Sequence, residues 1–139
     1  MSEIIPNVHP QEVWQALESD PKAKLVDVRT TAEWAYVGLP DLTALSKKPV
    51  KIEWQVYPGM SVNADFMQKL RLEEVEPGDK VYFLCRSGVR SLAAAKLAAA
   101  NGYAEVFNIA DGFEGPKDAV GHRGTVAGWK QAGLPWSQG

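Results

Sequence analysis

The only cysteine of the chain lies between an apolar run and two arginines. Residues 80–84 are short, apolar and rich in β-formers and follow a Pro-Gly turn signal, so we predict a buried strand with Cys85 at its carboxyl end. Residues 92–101 contain six alanines, which favours a helix with Ser91 as its N-cap and Gly102 as its stop. Cys85 therefore lies in a loop that joins a strand to a helix.

A loop of this kind can make a thiol nucleophilic. In open α/β sheets ligands bind beyond the carboxyl ends of the strands, and N–H groups at a helix N-terminus attract anions. Gly88 permits a close backbone turn, while Arg86 and Arg90 add positive charge. A lone cysteine is more often a small buried apolar residue. The glycine, the two arginines and the helix start coincide here, so we expect a largely ionised thiolate that acts as a nucleophile.

The pattern Cys-x-x-Gly-x-Arg-Ser at residues 85–91 resembles the active-site loop of the rhodanese-like sulfurtransferases. Residues 25–34 are similar to the amino-terminal signature of that family, with Asp27-x-Arg29 followed by a Glu-aromatic pair. Residues 108–112 and 129–135 resemble its last strand and its closing motif. The chain departs from the family at residues 37–40, which lack the usual histidine, and at Asp111, where the family usually has glycine.

The length of the loop separates two chemistries that share this fold. Four residues lie between Cys85 and Arg90, as in related sulfur-transferring domains, whereas the related phosphatases and arsenate reductases carry one more. A shorter ring of N–H groups fits one sulfur atom better than a tetrahedral phosphate. The resemblance therefore implies an enzyme in which Cys85 takes a sulfur from a donor such as thiosulfate, forms a persulfide and passes the sulfur to cyanide or a thiol. Two alternatives remain open: a persulfide carrier fed by a partner protein, and a phosphatase or arsenate reductase of the same fold.

The expected site consists of one catalytic residue and the loop that follows it. Cys85 is the catalytic nucleophile, and the expected substrate-binding residues are Arg86, Ser87, Gly88, Val89, Arg90 and Ser91. No cofactor is needed for this chemistry, and two histidines with one cysteine offer no metal-ligand spacing. The expected partners are a small anionic sulfur donor and a thiol or protein acceptor.

Composition limits the other classes of function. The chain has 139 residues, 45% of them hydrophobic, which predicts a single domain over residues 1–139. Fifteen basic against 17 acidic residues give no bulk charge for binding nucleic acid or an anionic membrane. No secretory signal or membrane-spanning run is recognisable, so we expect a cytoplasmic protein.

Helical and strand patterns alternate along the chain. We predict helices at residues 10–19 and 32–36, a third helix capped by Asn63, and strands at 24–28, 50–54, 80–84 and 105–109. Thr30 or Thr31 can cap the second helix, and Leu72 is assigned to the apolar face of the third. This alternation predicts an α/β fold with a central, mostly parallel sheet and helices on both faces, the rhodanese-like architecture that the resemblance also implies.

Other polar residues receive structural interpretations. Asp27 and Arg29 project to the same face of a strand end, and we expect an ion pair that supports the neighbouring loop. His122 is expected to be a solvated loop residue. The glycine-rich residues 112–128 are predicted to form a loop beside the active site.

Overall fold

The computed structural model describes residues 5–56, 59, 61–123 and 127–137, and a parallel five-stranded sheet lies at its centre. The strands of this sheet are β1 (Asn7–Val8), β2 (Lys24–Asp27), β4 (Val50–Lys51), β7 (Lys80–Leu84) and β8 (Glu105–Ile109). Their order across the sheet is β1-β8-β7-β2-β4, and every neighbouring pair is parallel.

Helices connect these strands, and short antiparallel pairs lie outside the sheet. The helices are α1 (Pro10–Ser19), α2 (Thr31–Tyr36), α3 (Phe66–Leu72) and α4 (Val89–Ala100), with a 3₁₀ turn at Thr43–Leu45. The two-stranded pairs are β3 (Leu39–Pro40) with β9 (Trp136–Ser137), and β5 (Gln55–Val56) with β6 (Ser61–Val62).

The central strand β7 divides the core into two layers. Val81, Phe83 and Cys85 belong to the cluster packed with α3 and α4, whereas Tyr82 and Leu84 belong to the cluster packed with α1. This division follows from the two-residue period of a strand, which sends successive side chains to opposite faces. The structure thus confirms the predicted α/β fold with a parallel sheet between helices.

Several predicted elements have the bounds expected from the sequence. The first helix and the strands at residues 80–84 and 105–109 match at both ends. Thr30 caps α2 through a capping box, in which its hydroxyl accepts from the Glu33 N–H while the Glu33 carboxylate accepts from the Thr30 N–H. Within the described part of the chain, no helix is long and apolar enough to cross a membrane.

The start of α4 corrects the prediction that Ser91 is its N-cap. The helix begins at Val89, and Gly88 occupies the N-cap position with a φ of +112°. Glycine adopts this left-handed backbone without a steric penalty. Ser91 instead lies in the first turn, fully buried, with its hydroxyl directed at groups of the core. The helix therefore approaches Cys85 more closely than the sequence indicated.

Two other predicted boundaries and one packing assignment were also wrong. The strand predicted at residues 50–54 covers only Val50–Lys51, although the N–H groups of Ile52 and Trp54 still donate to the carbonyl oxygens of Asp27 and Val28. The N-cap of α3 is Asp65 rather than Asn63, whose side chain accepts from the Asp65 N–H and forms a turn before the helix. Leu72, at the end of α3, is 71% exposed and does not belong to the buried face.

Candidate active site

Cys85 lies at the carboxyl end of β7, inside the loop that leads to α4. Its side chain is 1% exposed. The Gly88 N–H donates to its Sγ over 3.1 Å, and the Ser91 Oγ lies 3.2 Å from the same sulfur. The positive end of the α4 dipole also points at this position. One fixed N–H donor and the start of a helix thus point at the sulfur, and a serine hydroxyl lies within hydrogen-bond distance of it.

The first two carbonyl groups of the loop accept hydrogen bonds from residues 113–115. Phe113 N–H donates to Cys85 O over 2.8 Å, and the N–H groups of Glu114 and Gly115 donate to Arg86 O over 3.0 and 3.2 Å. Gly112, at φ +64°, brings this segment so close that a Cβ there would collide with the backbone of Cys85 and Arg86. Residues 112–115, at the start of the glycine-rich segment, therefore lie against the Cys85 loop, where the sequence predicted a neighbouring loop.

Arg90 is paired with a carboxylate of α2. Its Nη1 lies 2.7 Å from Glu33 Oε1, and its Nη2 lies 2.9 Å from Glu33 Oε2. Burial raises the pKa of Glu33, but the hydrogen bonds and charge of Arg90, together with the bonds from Thr30, outweigh burial and leave that pKa lowered. The hydrogen bond to Glu33 raises the pKa of Arg90 despite its partial burial. Arg90 thus joins the active-site loop to the capped start of α2.

Arg86 has a different environment from Arg90. Its side chain is exposed, and none of the ion pairs among the described residues includes it. Val89 is 76% exposed, while Ser87 and Gly88 are partly buried. Of the two arginines predicted to bind substrate, Arg86 is therefore the one whose guanidinium remains available to an anion.

A cleft of about 410 Å³ opens beside the loop. Residues 87–89 and Leu92 line it on the helix side, and Asn7, Asn108 and Asp111 line it on the strand side. It lies where β1 and β8 end next to the start of α4, which is the edge at which open α/β sheets bind ligands.

The sequence prediction missed a buried chain of polar side chains behind Cys85. Asn108 Oδ1 lies 2.5 Å from Ser91 Oγ, and Asn108 Nδ2 donates to Gly88 O over 3.1 Å and to Asn7 Oδ1 over 2.9 Å. Asn108 is 4% exposed. Its signal in the sequence was a lone amide within the otherwise apolar centre of β8, because a buried polar side chain requires partners.

Asp27 and Arg29 form the ion pair expected from their spacing. Arg29 Nη2 lies 2.6 Å from Asp27 Oδ2, both side chains are fully buried, and the same nitrogen donates to Gly38 O over 2.7 Å. The Arg29 guanidinium also lies 4.3 Å from the centre of the Phe113 ring. Because the Phe113 N–H donates to the Cys85 carbonyl, this pair supports the Cys85 loop through Phe113.

His122 and the tryptophans near the carboxyl end lie outside the loop. His122 is exposed, and its backbone N–H donates to Asp118 Oδ1 over 2.9 Å. Trp129 is fully buried with its indole N–H on Pro135 O, whereas Trp136 is 41% exposed. Among the described residues, no three His, Cys, Asp or Glu side chains form a group able to hold a metal ion.

Comparison with solved structures gives a match over nearly the whole chain. The crystal structure of Rv0390 from M. tuberculosis has 43% sequence identity and a TM-score of 0.88, and the match covers 99% of this chain and 100% of that one. The uncharacterized protein RC0915 of Rickettsia conorii is 37% identical over 95% of this chain and 97% of its own length.

Two further relatives carry descriptive names. Rhodanese-like domain-containing protein 4 of Arabidopsis thaliana, a chloroplastic protein, is 33% identical over 91% of this chain and 24% of its own length. Thiosulfate sulfurtransferase GlpE of Actinobacillus pleuropneumoniae is 24% identical over 97% of this chain and 95% of its own length.

The family model described as the STR4 middle domain matches residues 7–139. This range contains the strand, loop and helix around Cys85 and the glycine-rich segment that holds the loop. The match to this family model, the parallel sheet and the similarity to these relatives show that the chain belongs to the rhodanese-like family.

Proposed function

We propose that this protein is a sulfurtransferase that carries a sulfur atom as a persulfide on Cys85. The observation that supports this most strongly is the position of the Cys85 sulfur within a four-residue loop, 3.1 Å from the Gly88 N–H and beside the start of α4. This arrangement favours a singly charged sulfur at the loop.

In the proposed first step, the Cys85 thiolate attacks the outer sulfur of thiosulfate. A bond forms between Cys85 Sγ and that sulfur, the S–S bond of thiosulfate breaks, and sulfite leaves with the electron pair. The product is an anionic persulfide on Cys85. Cyanide or an acceptor thiolate then attacks the terminal sulfur, which releases thiocyanate or a new persulfide and regenerates the Cys85 thiolate.

The surroundings of the loop supply the charge stabilisation that both steps need. The dipole of α4 and the N–H groups at its start are fixed before the reaction, as donors in an oxyanion hole are. Arg86 is exposed at the entrance and would attract the dianionic donor. Arg90, paired with Glu33, would act through the position of the loop rather than by binding the donor.

The GlpE relative, which is 24% identical to this chain, is named a thiosulfate sulfurtransferase, and this name supports thiosulfate as the donor. A single cysteine that must remain reduced to act also fits a reducing compartment such as the cytoplasm.

The test is the intact mass of the purified protein after incubation with thiosulfate, and again after cyanide is added. We expect the mass to rise by one sulfur atom and to return to its first value with cyanide. Cys85→Ser, which keeps the size of the side chain but removes the only thiol, should show no gain.

No gain in the wild-type protein would contradict transfer from a small donor. Steady-state kinetics with thiosulfate and cyanide provide the second readout: saturation that depends on Cys85 supports an enzyme, and a rate that never saturates favours a carrier loaded by another protein. Cys85-dependent hydrolysis of an aryl phosphate would favour phosphatase chemistry instead.

A further inference from the structure

Two acceptors lie within hydrogen-bond distance of the Ser91 hydroxyl, which is next to Cys85. Ser91 has a single hydroxyl hydrogen, and its Oγ lies 2.5 Å from Asn108 Oδ1 and 3.2 Å from Cys85 Sγ. The hydroxyl can donate to only one of these atoms at a time. The orientation of this hydrogen determines whether the serine donates to the sulfur or accepts from it.

The orientation of the Asn108 amide follows from its other contacts. The Gly88 carbonyl oxygen can only accept, so the Asn108 atom that lies 3.1 Å from it must be the amide nitrogen. The same nitrogen lies 2.9 Å from Asn7 Oδ1. The amide oxygen therefore faces Ser91, and because that oxygen has no hydrogen, the serine must donate to it.

We propose that Asn108 is a positioning residue that turns the Ser91 hydroxyl away from Cys85 and thereby stabilises the neutral thiol between turnovers. With its hydrogen on Asn108, Ser91 offers a lone pair to Cys85 and accepts from the S–H group. A thiolate or a persulfide would instead require the Ser91 hydrogen, and the Asn108 oxygen would then face the Ser91 oxygen without a hydrogen between them.

This inference uses Cys85 as the nucleophile of the proposed function, and it goes beyond that function by assigning a restraint on it. Arg90, which is paired with Glu33, also interacts electrostatically with this thiol. Substitution of Asn108 removes none of these charged groups, so a change in the reactivity of Cys85 reports on the hydroxyl.

The experiment is the rate at which iodoacetamide alkylates Cys85 at neutral pH, where the thiolate is the reacting form. It needs no sulfur donor, so its result does not depend on whether the protein accepts sulfur from thiosulfate. We expect Asn108→Ala to accelerate alkylation roughly tenfold or more, the effect of gaining one hydrogen bond to a charged sulfur. The ultraviolet absorbance of the thiolate should rise in the same variant.

A double-mutant comparison separates this role from general loosening of the core. In a protein that carries Ser91→Ala, Asn108→Ala should change the alkylation rate little, because no hydroxyl remains to be redirected. Asn7→Ala, which removes only the outer contact of the Asn108 amide, should leave the rate unchanged.

Asn108→Leu keeps the number and branching of the side-chain heavy atoms and provides the comparison if Asn108→Ala loses its cooperative thermal unfolding. Three results would overturn the inference: no acceleration in the folded variant, equal acceleration with and without Ser91, or an equal acceleration by Asn7→Ala.

Discussion

The guanidinium of Arg90 binds both carboxylate oxygens of Glu33, at 2.7 and 2.9 Å. Glu33 belongs to the capping box that starts α2, and Arg90 lies in the first turn of α4. The pair therefore joins two helix starts at the edge of the sheet that carries Cys85. An arginine that the sequence suggested for substrate binding is thus engaged within the fold, and this distinction leads to the first two predictions.

Replacement of Arg90 by lysine should destabilise the protein. A lysine has one charged nitrogen and cannot bind both oxygens of Glu33, so we expect a loss of roughly 1–2 kcal/mol in the free energy of unfolding. Chemical denaturation measures this loss. The matched control is Arg86→Lys, at an exposed arginine of the same loop, which should leave stability unchanged. Equal losses in the two variants would contradict the assigned role of Arg90.

Arg86→Ala should instead affect donor binding. The exposed guanidinium attracts a dianionic donor, so we expect KM for thiosulfate to rise several-fold with a smaller change in kcat. Because the attraction is electrostatic, added salt should reduce the difference between wild type and variant. Steady-state kinetics at low and high salt measure both effects, and a KM unaffected by the substitution would argue against this role.

Gly112→Ala should disrupt the active-site loop. The new methyl group would meet the backbone of Cys85 and Arg86, at a φ of +64° that already disfavours a side chain. We expect a loss of stability above about 2 kcal/mol and loss of sulfur transfer.

Gly121→Ala is the matched control for Gly112→Ala. Gly121 has a φ of +84° in the same glycine-rich segment, but a Cβ there meets nothing within 4 Å. It should cost only the backbone strain, on the order of 1 kcal/mol, and preserve activity. Similar losses at the two glycines would show that close approach to the loop is unimportant.

The free energy of unfolding should fall in acid, in part because Glu33 becomes protonated. Its pKa is lowered in the folded protein, so its contribution is fully present above the ordinary value of 4.5 and is lost as the pH falls through the lowered folded value. Burial raises the pKa of Asp79, but the hydrogen bonds from Lys24 and from the Glu76 N–H, with the charge of Lys24, outweigh it and leave that pKa lowered, so Asp79 adds to the same trend.

Glu33→Gln isolates the contribution of the glutamate. The difference in unfolding free energy between wild type and this variant should be largest at neutral pH and should shrink in acid below pH 4.5. Denaturation at several pH values measures the difference. A difference that stays constant with pH would mean that the charge of Glu33 does not contribute.

Arg29→Met should be among the most destabilising single substitutions. Methionine replaces the apolar stem of the arginine with an unbranched apolar side chain but leaves the Asp27 carboxylate buried without its ion-pair partner. We expect a loss of about 3–5 kcal/mol, measured by chemical denaturation. The double variant Asp27→Leu with Arg29→Met removes both charges and should recover part of this loss, whereas a further loss would argue against the pair as the cause.

The local pattern of the sequence was sufficient for the fold and for the position of Cys85. Residues 80–84 carry a strand signal and residues 92–101 a helix signal, so the loop at Cys85 and its place at the carboxyl edge of a parallel sheet followed from neighbouring residues alone. The Asp27–Arg29 pair could also be predicted from the sequence, because its partners are two positions apart at one strand end.

Only the tertiary structure decided which groups meet at the loop. Arg90 and Glu33 are 57 positions apart, and Ser91 and Asn108 are 17 apart, so no local spacing indicates either contact. The Ser91 hydroxyl was predicted to cap the helix because serine often does so. In the folded protein Gly88 takes the cap position, and the parallel pairing of β7 with β8 places Asn108 where it can bind the serine. The side chains around Cys85 are brought together by strand order and register, which are properties of the whole sheet.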